Sequence, residues 1–449
     1  MTSQPDTVVD ADTAALTRVS RALAERFPHR MLPDLERMRD LVDLLGQPQR
    51  AYPSIHLTGT NGKTSTARMV DSLLCAFGIR PGRYTSPHLE SVTERICLAG
   101  RPAPAATFTQ AYDDVIPYVE LVDSKHPERV TFFELLTAMA FAAFADAPVD
   151  VGVIEVGMGG TWDATNVLNA AVTVVTPISL DHQELGATLD AVAAEKAGII
   201  HADALVVLGQ QPLEAAEVLL RRAGEVGATV AREGLEFGVL ARDLAVGGQR
   251  VTIRGLGGVY EDLLLHLHGA HQAHNAACAL AAVEGFLGGG REILDLAAVR
   301  AGFAQADSPG RLEIVRRSPT VLLDGAHNVA GAQALVAAVE ESFSFDHLVG
   351  VVGMLADKDA AGILAALEPV LNAVVVTQSR SPRAMPVDDL AAIAVDVFGS
   401  DRVEVASRLD DALDAGVRLA EEDSHLAGAG VLVTGSLVTV GEARRLLRR

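Results

Sequence analysis

The stretch SIHLTGTNGKTST, residues 54–66, constrains this chain more than any other. Ile55 and Leu57 mark a short buried strand, a glycine-rich turn follows, and a helix opens near Lys63. Gly59 and Gly62 permit backbone angles that a Cβ forbids. Successive N–H groups can then converge on phosphate oxygens at a helix N-terminus. Lys63 can reach the outer phosphates, and the Thr64 hydroxyl can face Mg2+. The first glycine of the general pattern G-x-x-x-x-G-K-[ST] would fall at position 57, which is Leu, while GTNGKT is intact.

Strand and helix alternate around this turn. Helical spacing covers 12–27 and 34–45, after a loose tail at 1–11. A short strand, a loop with Ser86-Pro87-His88 and another strand fill 80–100. An apolar helix at 131–145 opens on T-x-x-E, a capping box of Thr131 and Glu134. Strands 150–157 and 170–178 are continuously apolar, as parallel strands covered on both faces are. A helix at 188–200, a strand at 204–209 and a helix at 212–226 continue the series. Residues 229–268 read as a small antiparallel patch, followed by helices 272–287 and 293–304. ADSPGR at 306–311 reads as a linker, and strand and helix alternate again to 447. The expected architecture is α/β throughout. An N-terminal phosphate-loop ATPase domain, 1–305, has a mainly parallel doubly wound sheet and the antiparallel patch; a smaller Rossmann-like α/β domain occupies 312–449.

Composition narrows the class. A chain of 449 residues exceeds one core, so two domains are expected. A formal charge of −21 argues against nucleic acid and anionic membranes as partners, since both are bound through Lys and Arg. Lys occurs only at 63, 125, 196 and 358, so a Lys here suggests a need for a compact amine. Cys75, Cys97 and Cys278 are scattered and read as core residues in a reducing compartment. The acidic N-terminus is no secretory signal, and the longest apolar run, within 135–145, is too short to span a bilayer. A soluble cytoplasmic protein is expected.

Partners for the phosphate loop belong at the ends of neighbouring strands. Glu155 ends one, just before glycines, and suits Mg2+. His182 follows the next, an unusual ligand for a hard cation and equally readable as structural. Lys196 has Val192 and Ile200 at helical spacing, so it points to solvent or to a site; as a carbamate it would offer oxygens to a metal. His271 and His274 lack further zinc ligands nearby and read as helix-start polar groups, with Asn275 available to read a base. Arg311, Asp324 and His327 fall at the domain junction, a preferred place for ligands.

Taken in order, GTNGKTS, TSPHL, TERI, TFFELLTAMAF, IEVGMGG with DATN, LDHQELG, EKAGI, HQAHNAA, PGRLE, DGAHN, GMLADKD and VTGS resemble the folylpolyglutamate synthase family of ATP-dependent Mur-type ligases over residues 30–445. In many bacteria the family's enzyme is also a dihydrofolate synthase. The resemblance implies that Thr60, Asn61, Gly62, Lys63 and Thr64 hold ATP phosphates, with Ser86, Glu155 and His182 as magnesium ligands. It implies two Mg2+ ions, a monovalent cation such as K+, and a carbamylated Lys196. Asn275, Arg311 and Asp324 match nucleotide contacts, and His327 matches a residue near the reacting phosphate. The pterin-bearing substrate would lie against Thr131, Phe132, Phe133 and Glu134 and against Trp162, Asp163 and Ala164, with LPDLERM at 32–38 closing over it. Thr161 departs from the Arg of many relatives, which puts one contact near the pterin or its acidic tail in question.

The implied reaction is amide formation. A substrate carboxylate attacks the γ-phosphate of ATP, and the amine of L-glutamate then displaces phosphate from the acyl phosphate. Both anions need neutralising, by Mg2+, Lys63 and loop N–H groups. Exclusion of water gives two domains a reason to close. The implied acceptors are dihydropteroate and tetrahydrofolate with its polyglutamates, on a monomer. The alternatives are a UDP-muramyl peptide ligase of cell-wall synthesis, which carries an additional N-terminal domain, and a nucleotide-operated switch without ligase activity.

Overall fold

The computed structural model describes residues 11–28, 33–181, 183–422 and 428–448. The chain packs as two compact units. One comprises residues up to Phe237 with Cys278–Ala298; the other comprises Gly238–Ala277 with Val299–Arg449.

The first unit opens with α1 (Ala11–Ala24), α2 (Glu36–Leu44), β1 (Ser54–Thr58) and α3 (Lys63–Ala76). Next come β2 (Pro81–Tyr84), β3 (Ile96–Leu98), β4 (Arg101–Pro102), α4 (Ala105–Asp123) and α5 (Phe132–Asp146). It continues with β5 (Val151–Glu155), β6 (Val172–Val175), α6 (Leu189–Lys196), β7 (Leu205–Leu208), α7 (Leu213–Val226) and β8 (Thr229–Arg232). The sheet order is β4-β3-β2-β5-β1-β6-β7-β8. Six strands are parallel, and β3 and β4 form an antiparallel edge. Every residue of β1 and β5 is buried, as expected between two helical layers. One core joins Leu23 of α1, Val115 and Val119 of α4, and Leu135, Met139 and Phe141 of α5. Another seats α6 and α7 on the sheet through Val192, Ala215 and Leu219, against Val175 and Val206. Since β5 and β6 flank β1 on either side, the turn after β1 lies where connections diverge, the usual ligand crevice of such sheets.

Two local features depart from the sequence pattern. Helix α4 has no counterpart in the sequence pattern above, and it carries Pro117 in its interior. An interior proline costs roughly 3 kcal/mol, yet Phe108, Val115, Val119 and Val122 are buried from this helix, each worth about 1.5–3 kcal/mol. The helix expected to 200 stops at Lys196 and tightens into a 3-10 turn, Ala197–Ile199.

The second unit begins with a three-stranded antiparallel sheet, β9 (Gly238–Ala245), β10 (Gly248–Arg254) and β11 (Val259–Leu265), with β10 central. Helices α8 (Ala270–Gly288) and α9 (Leu296–Gln305) have residues in both units. Then follow β12 (Glu313–Arg317), β13 (Thr320–Leu323), α10 (Val329–Ser342), β14 (His347–Val352), α11 (Ala360–Leu367) and β15 (Ala373–Val376). Helix α12 (Val387–Phe398), β16 (Val403–Val405), α13 (Leu409–Glu422), β17 (Ala429–Thr434) and α14 (Leu437–Leu447) close the chain. The order is β12-β13-β17-β14-β15-β16, parallel except for β12. The antiparallel patch, residues 238–265, packs within this unit. Arg242 of β9 pairs with Glu341 of α10, and the His268 ring lies 5.0 Å from Phe343. No helix among the described residues is long and apolar enough to cross a membrane.

Candidate active site

The turn after β1 is built by close approach. Gly59 has φ 140°, and a Cβ there would stand 1.9 Å from Thr176 Oγ1. Gly62, at φ 89°, caps α3. The Thr60 hydroxyl donates to the Ser179 carbonyl at 2.9 Å and accepts from Ser179 N at 3.0 Å. The Pro177 carbonyl accepts from Thr60 N and Asn61 N, at 3.0 and 3.4 Å. The loop is thus sewn to the segment after β6. Helix α3 opens directly from this loop, and a helix N-terminus is where backbone N–H groups can receive an anion.

Both nearby lysines bond to the loop. Lys63 Nζ donates to the carbonyls of Gly59 and Thr60, at 2.9 and 3.1 Å. Lys196 Nζ donates to the Gly59 carbonyl at 2.8 Å. Lys196 is 4% exposed, and burial, then the charge of Lys63, pull its pKa down to about 7. A cavity of about 20 Å³ lies between the two, bounded also by Met158 and Asp181. That is room for about one water molecule.

Three strand ends meet beside the loop. The Thr64 hydroxyl donates to Glu155, at 2.8 Å to Oε1 and 3.0 Å to Oε2. Ser86 N, after β2, donates to Glu155 Oε2 at 3.2 Å. Glu155 is 1% exposed. Hydroxyl and carboxylate oxygens suit Mg2+, which takes one or two carboxylates and fills its shell with water and phosphate. No group of three or more His, Cys, Asp and Glu gathers among the described residues. His182 lies outside the described residues.

The turn after β5 is braced from within. Asp163 is buried; Oδ2 accepts from Met158 N at 2.9 Å, and Oδ1 accepts from Thr165 N at 2.9 Å and Thr165 Oγ1 at 2.6 Å. Because Thr165 donates there, it accepts from His56 Nε2 at 2.8 Å. Burial raises the Asp163 pKa, partly offset by these bonds. Thr161 donates from N and Oγ1 to the Glu195 carbonyl, both at 3.0 Å, which ties the turn to α6. Trp162 packs in the α6–α7 core and Ala164 in the α5 core.

At the start of α5 the capping box forms. Thr131 Oγ1 accepts from Glu134 N at 3.3 Å, and Glu134 Oε2 accepts from Thr131 N at 2.7 Å. Glu134 also holds Arg37 of α2 in a buried ion pair, 2.9 Å from Nη2 to Oε1. Arg37 belongs to the LPDLERM segment, whose Leu32 is outside the described residues. Phe133 fits against Gly157, where a Cβ would lie 2.4 Å from its Cζ. Phe132 stacks on Phe27 at 4.1 Å and lies beneath the Arg95 guanidinium at 5.1 Å. Arg95 had no individual role in the sequence pattern beyond the string TERI. It is buried, and its Nε donates to His88 Nδ1 at 2.9 Å. Burial lowers its pKa, opposed by Tyr84 and Glu155.

The second unit holds a separate group. Asp324 follows β13, accepting from Leu312 N at 2.9 Å and Ala326 N at 2.8 Å. Burial raises its pKa, and Arg311 opposes that rise. The Arg311 guanidinium lies against Gly325, where a Cβ would be 2.5 Å from Nη1. His327 Nδ1 donates to the Gly325 carbonyl at 2.8 Å, which leaves the lone pair of a neutral ring on Nε2. Asn275, on α8, donates to Gln272 Oε1 at 3.1 Å and is buried. His271, one turn earlier, is brought down to about pKa 4 by burial and then by Arg311, so it is neutral near pH 7.

A family description, Mur ligase middle domain, matches residues 57–283, and another, Mur ligase glutamate ligase domain, matches 310–437. The dihydrofolate synthase/folylpolyglutamate synthase of Mycobacterium tuberculosis is 52% identical over 462 residues, covering 98% of this chain and 95% of the relative. The solved structure of M. tuberculosis folylpolyglutamate synthase complexed with ADP superposes with a TM-score of 0.94 at 53% identity, over 98% of this chain and 99% of that one. E. coli FolC in complex with DHPP and ADP superposes with a TM-score of 0.84 at 31% identity, over 96% and 97%. The phosphate loop, the paired strand ends and the second α/β unit define an ATP-dependent ligase of the Mur type. Within that class, the chain belongs to the folylpolyglutamate synthase/dihydrofolate synthase family.

Proposed function

We propose that this chain joins L-glutamate to the carboxylate of reduced folates and of dihydropteroate, with ATP as the energy source. The observation that carries the reading is the meeting of Thr64, Ser86 and Glu155 beside the Lys63 turn. In this reading Lys63 exchanges the Gly59 and Thr60 carbonyls for ATP phosphate oxygens. Gly62 to Thr64 present their N–H groups to the same phosphates, with Thr60 and Asn61 holding the loop against Pro177. Thr64, Ser86, Glu155 and His182 would hold Mg2+, which supplies charge neutralisation at the phosphates. Asn275, Arg311 and Asp324 would serve the nucleotide and His327 the reacting phosphate.

Thr131 to Glu134 and Trp162 to Ala164 frame the acceptor site in this reading. Asp163 and Glu134 act there mainly by fixing turns, since their oxygens are engaged by backbone N–H groups. Lys196 is the residue to carry a carbamate: a buried amine with a pKa near 7 is partly neutral at pH 7 and can add CO2, releasing one proton. A monovalent cation such as K+ and a monomeric state complete the proposal.

The test is phosphate release by the purified chain with ATP, Mg2+ and L-glutamate. Dihydropteroate, tetrahydrofolate and a UDP-muramyl acceptor are offered in parallel. Turnover with the first two supports the reading. Turnover with the UDP-linked acceptor alone, or ATP hydrolysis indifferent to glutamate and pterins, overturns it.

A further inference from the structure

We propose that the second unit binds a free amino dicarboxylic acid in a cavity away from the Asp324–His327 turn. The cavity, about 580 Å³, lies between the segment after β15, the turn from β16 into α13, and the side of α14. Pockets of this size hold small metabolites. In the sheet order, β17 and β14 separate β15 from β13. At about 4.8 Å per strand, this puts the β15 end about 14 Å from the end of β13, too far to be the same subsite.

The charges lining the cavity are the argument. Arg408 at the cavity rim is already matched, engaged by Asp410 and Asp411. Arg380 and Arg445 line the same cavity, and their guanidinium groups form no ion pair or hydrogen bond among the described residues. Glu442 also lines the cavity, accepting the backbone N–H of Arg380 at 3.1 Å. Two unmatched cations and one carboxylate complement a zwitterion with two carboxylates and one ammonium. A simple dicarboxylate or phosphate would face Glu442 uncompensated, and a diamine would face the arginines. Leu409, buried, gives the methylene carbons an apolar wall. Ser379 also lines the cavity, and its buried hydroxyl lacks a hydrogen-bond partner. A group like that is stabilised when a ligand reaches it.

Such a compound is of the same class as the amino acid named under Proposed function, but this site binds it without reacting it. Calorimetric titration of the full chain with L-glutamate, glutarate and inorganic phosphate tests the proposal, and it does so independently of ligase activity. L-glutamate should bind the wild-type chain, and the double variant Arg380→Ala, Arg445→Ala should weaken it by about tenfold or more. Glu442→Gln should weaken L-glutamate and tighten glutarate, a reversal that a merely damaged fold would not produce. Melting temperatures of both variants should match wild type, since all three positions are partly or wholly exposed. Unchanged L-glutamate binding in the double variant overturns the proposal. So do glutarate binding as tightly as L-glutamate to the wild type, phosphate displacing L-glutamate from it, and no L-glutamate binding at all.

Discussion

Two strand-end turns in this chain use charge in opposite ways. After β1, cationic side chains bond to backbone carbonyls: Lys63 and Lys196 both donate to Gly59. After β13, a carboxylate bonds to backbone N–H groups: Asp324 accepts from Leu312 and Ala326. The first arrangement leaves charge that a stronger acceptor, such as phosphate, can draw away. The second uses the charge to close the turn itself. Both sit at the C-terminal end of a parallel strand, so strand topology alone does not say whether a turn's charge is carried by a cation or by a carboxylate.

The comparison is broken most directly at Lys63. Lys63→Ala should lower turnover by at least about a thousandfold with the fold retained, read as phosphate release beside circular dichroism. Full activity in that variant would remove the phosphate loop from the mechanism. Next in size is Arg37→Ala, which strands the buried Glu134; unfolding in denaturant should show a loss of about 3–5 kcal/mol. Asp324→Ala leaves two backbone N–H groups without their acceptor, and should cost about 2–4 kcal/mol. A neutral effect would mean the carboxylate is not the clasp described.

Lys196 sharpens the contrast through pH. Its pKa is depressed from 10.5 to about 7, so the folded chain binds fewer protons than the unfolded one between those values. Stability therefore rises with pH across that window, and the penalty of burying the charge is fully present below about pH 7. In bicarbonate-free buffer, Lys196→Met should raise the melting temperature at pH 6, with a gain that shrinks toward pH 10. A gain independent of pH would show that packing, not charge, is responsible. The smallest effect is expected at the helix cap, where Thr131→Ala should cost about 1 kcal/mol by thermal unfolding.

Much of this was legible in order of residues. The apolar runs at 150–157 and 170–178, the glycine turn and its lysine, and the capping box at Thr131 and Glu134 all depend on near neighbours. Period and turn chemistry report such features directly. Helix α4 was hidden because Pro117 argues locally against a helix, and only burial of its apolar face overrules that. The packing of the antiparallel patch was also out of reach, because the Arg242–Glu341 pair joins residues nearly a hundred positions apart.

The order of residues by itself determined the alternating α/β plan and the phosphate-loop turn, because both follow from spacing and from the angles glycine allows. Only the tertiary structure decided what each charged group does there. Arg37 and Arg95 became buried cations, Asp163 an internal brace and Lys196 an amine near neutrality. Desolvation and hydrogen-bond partners set those roles, and both are supplied by segments distant in the chain.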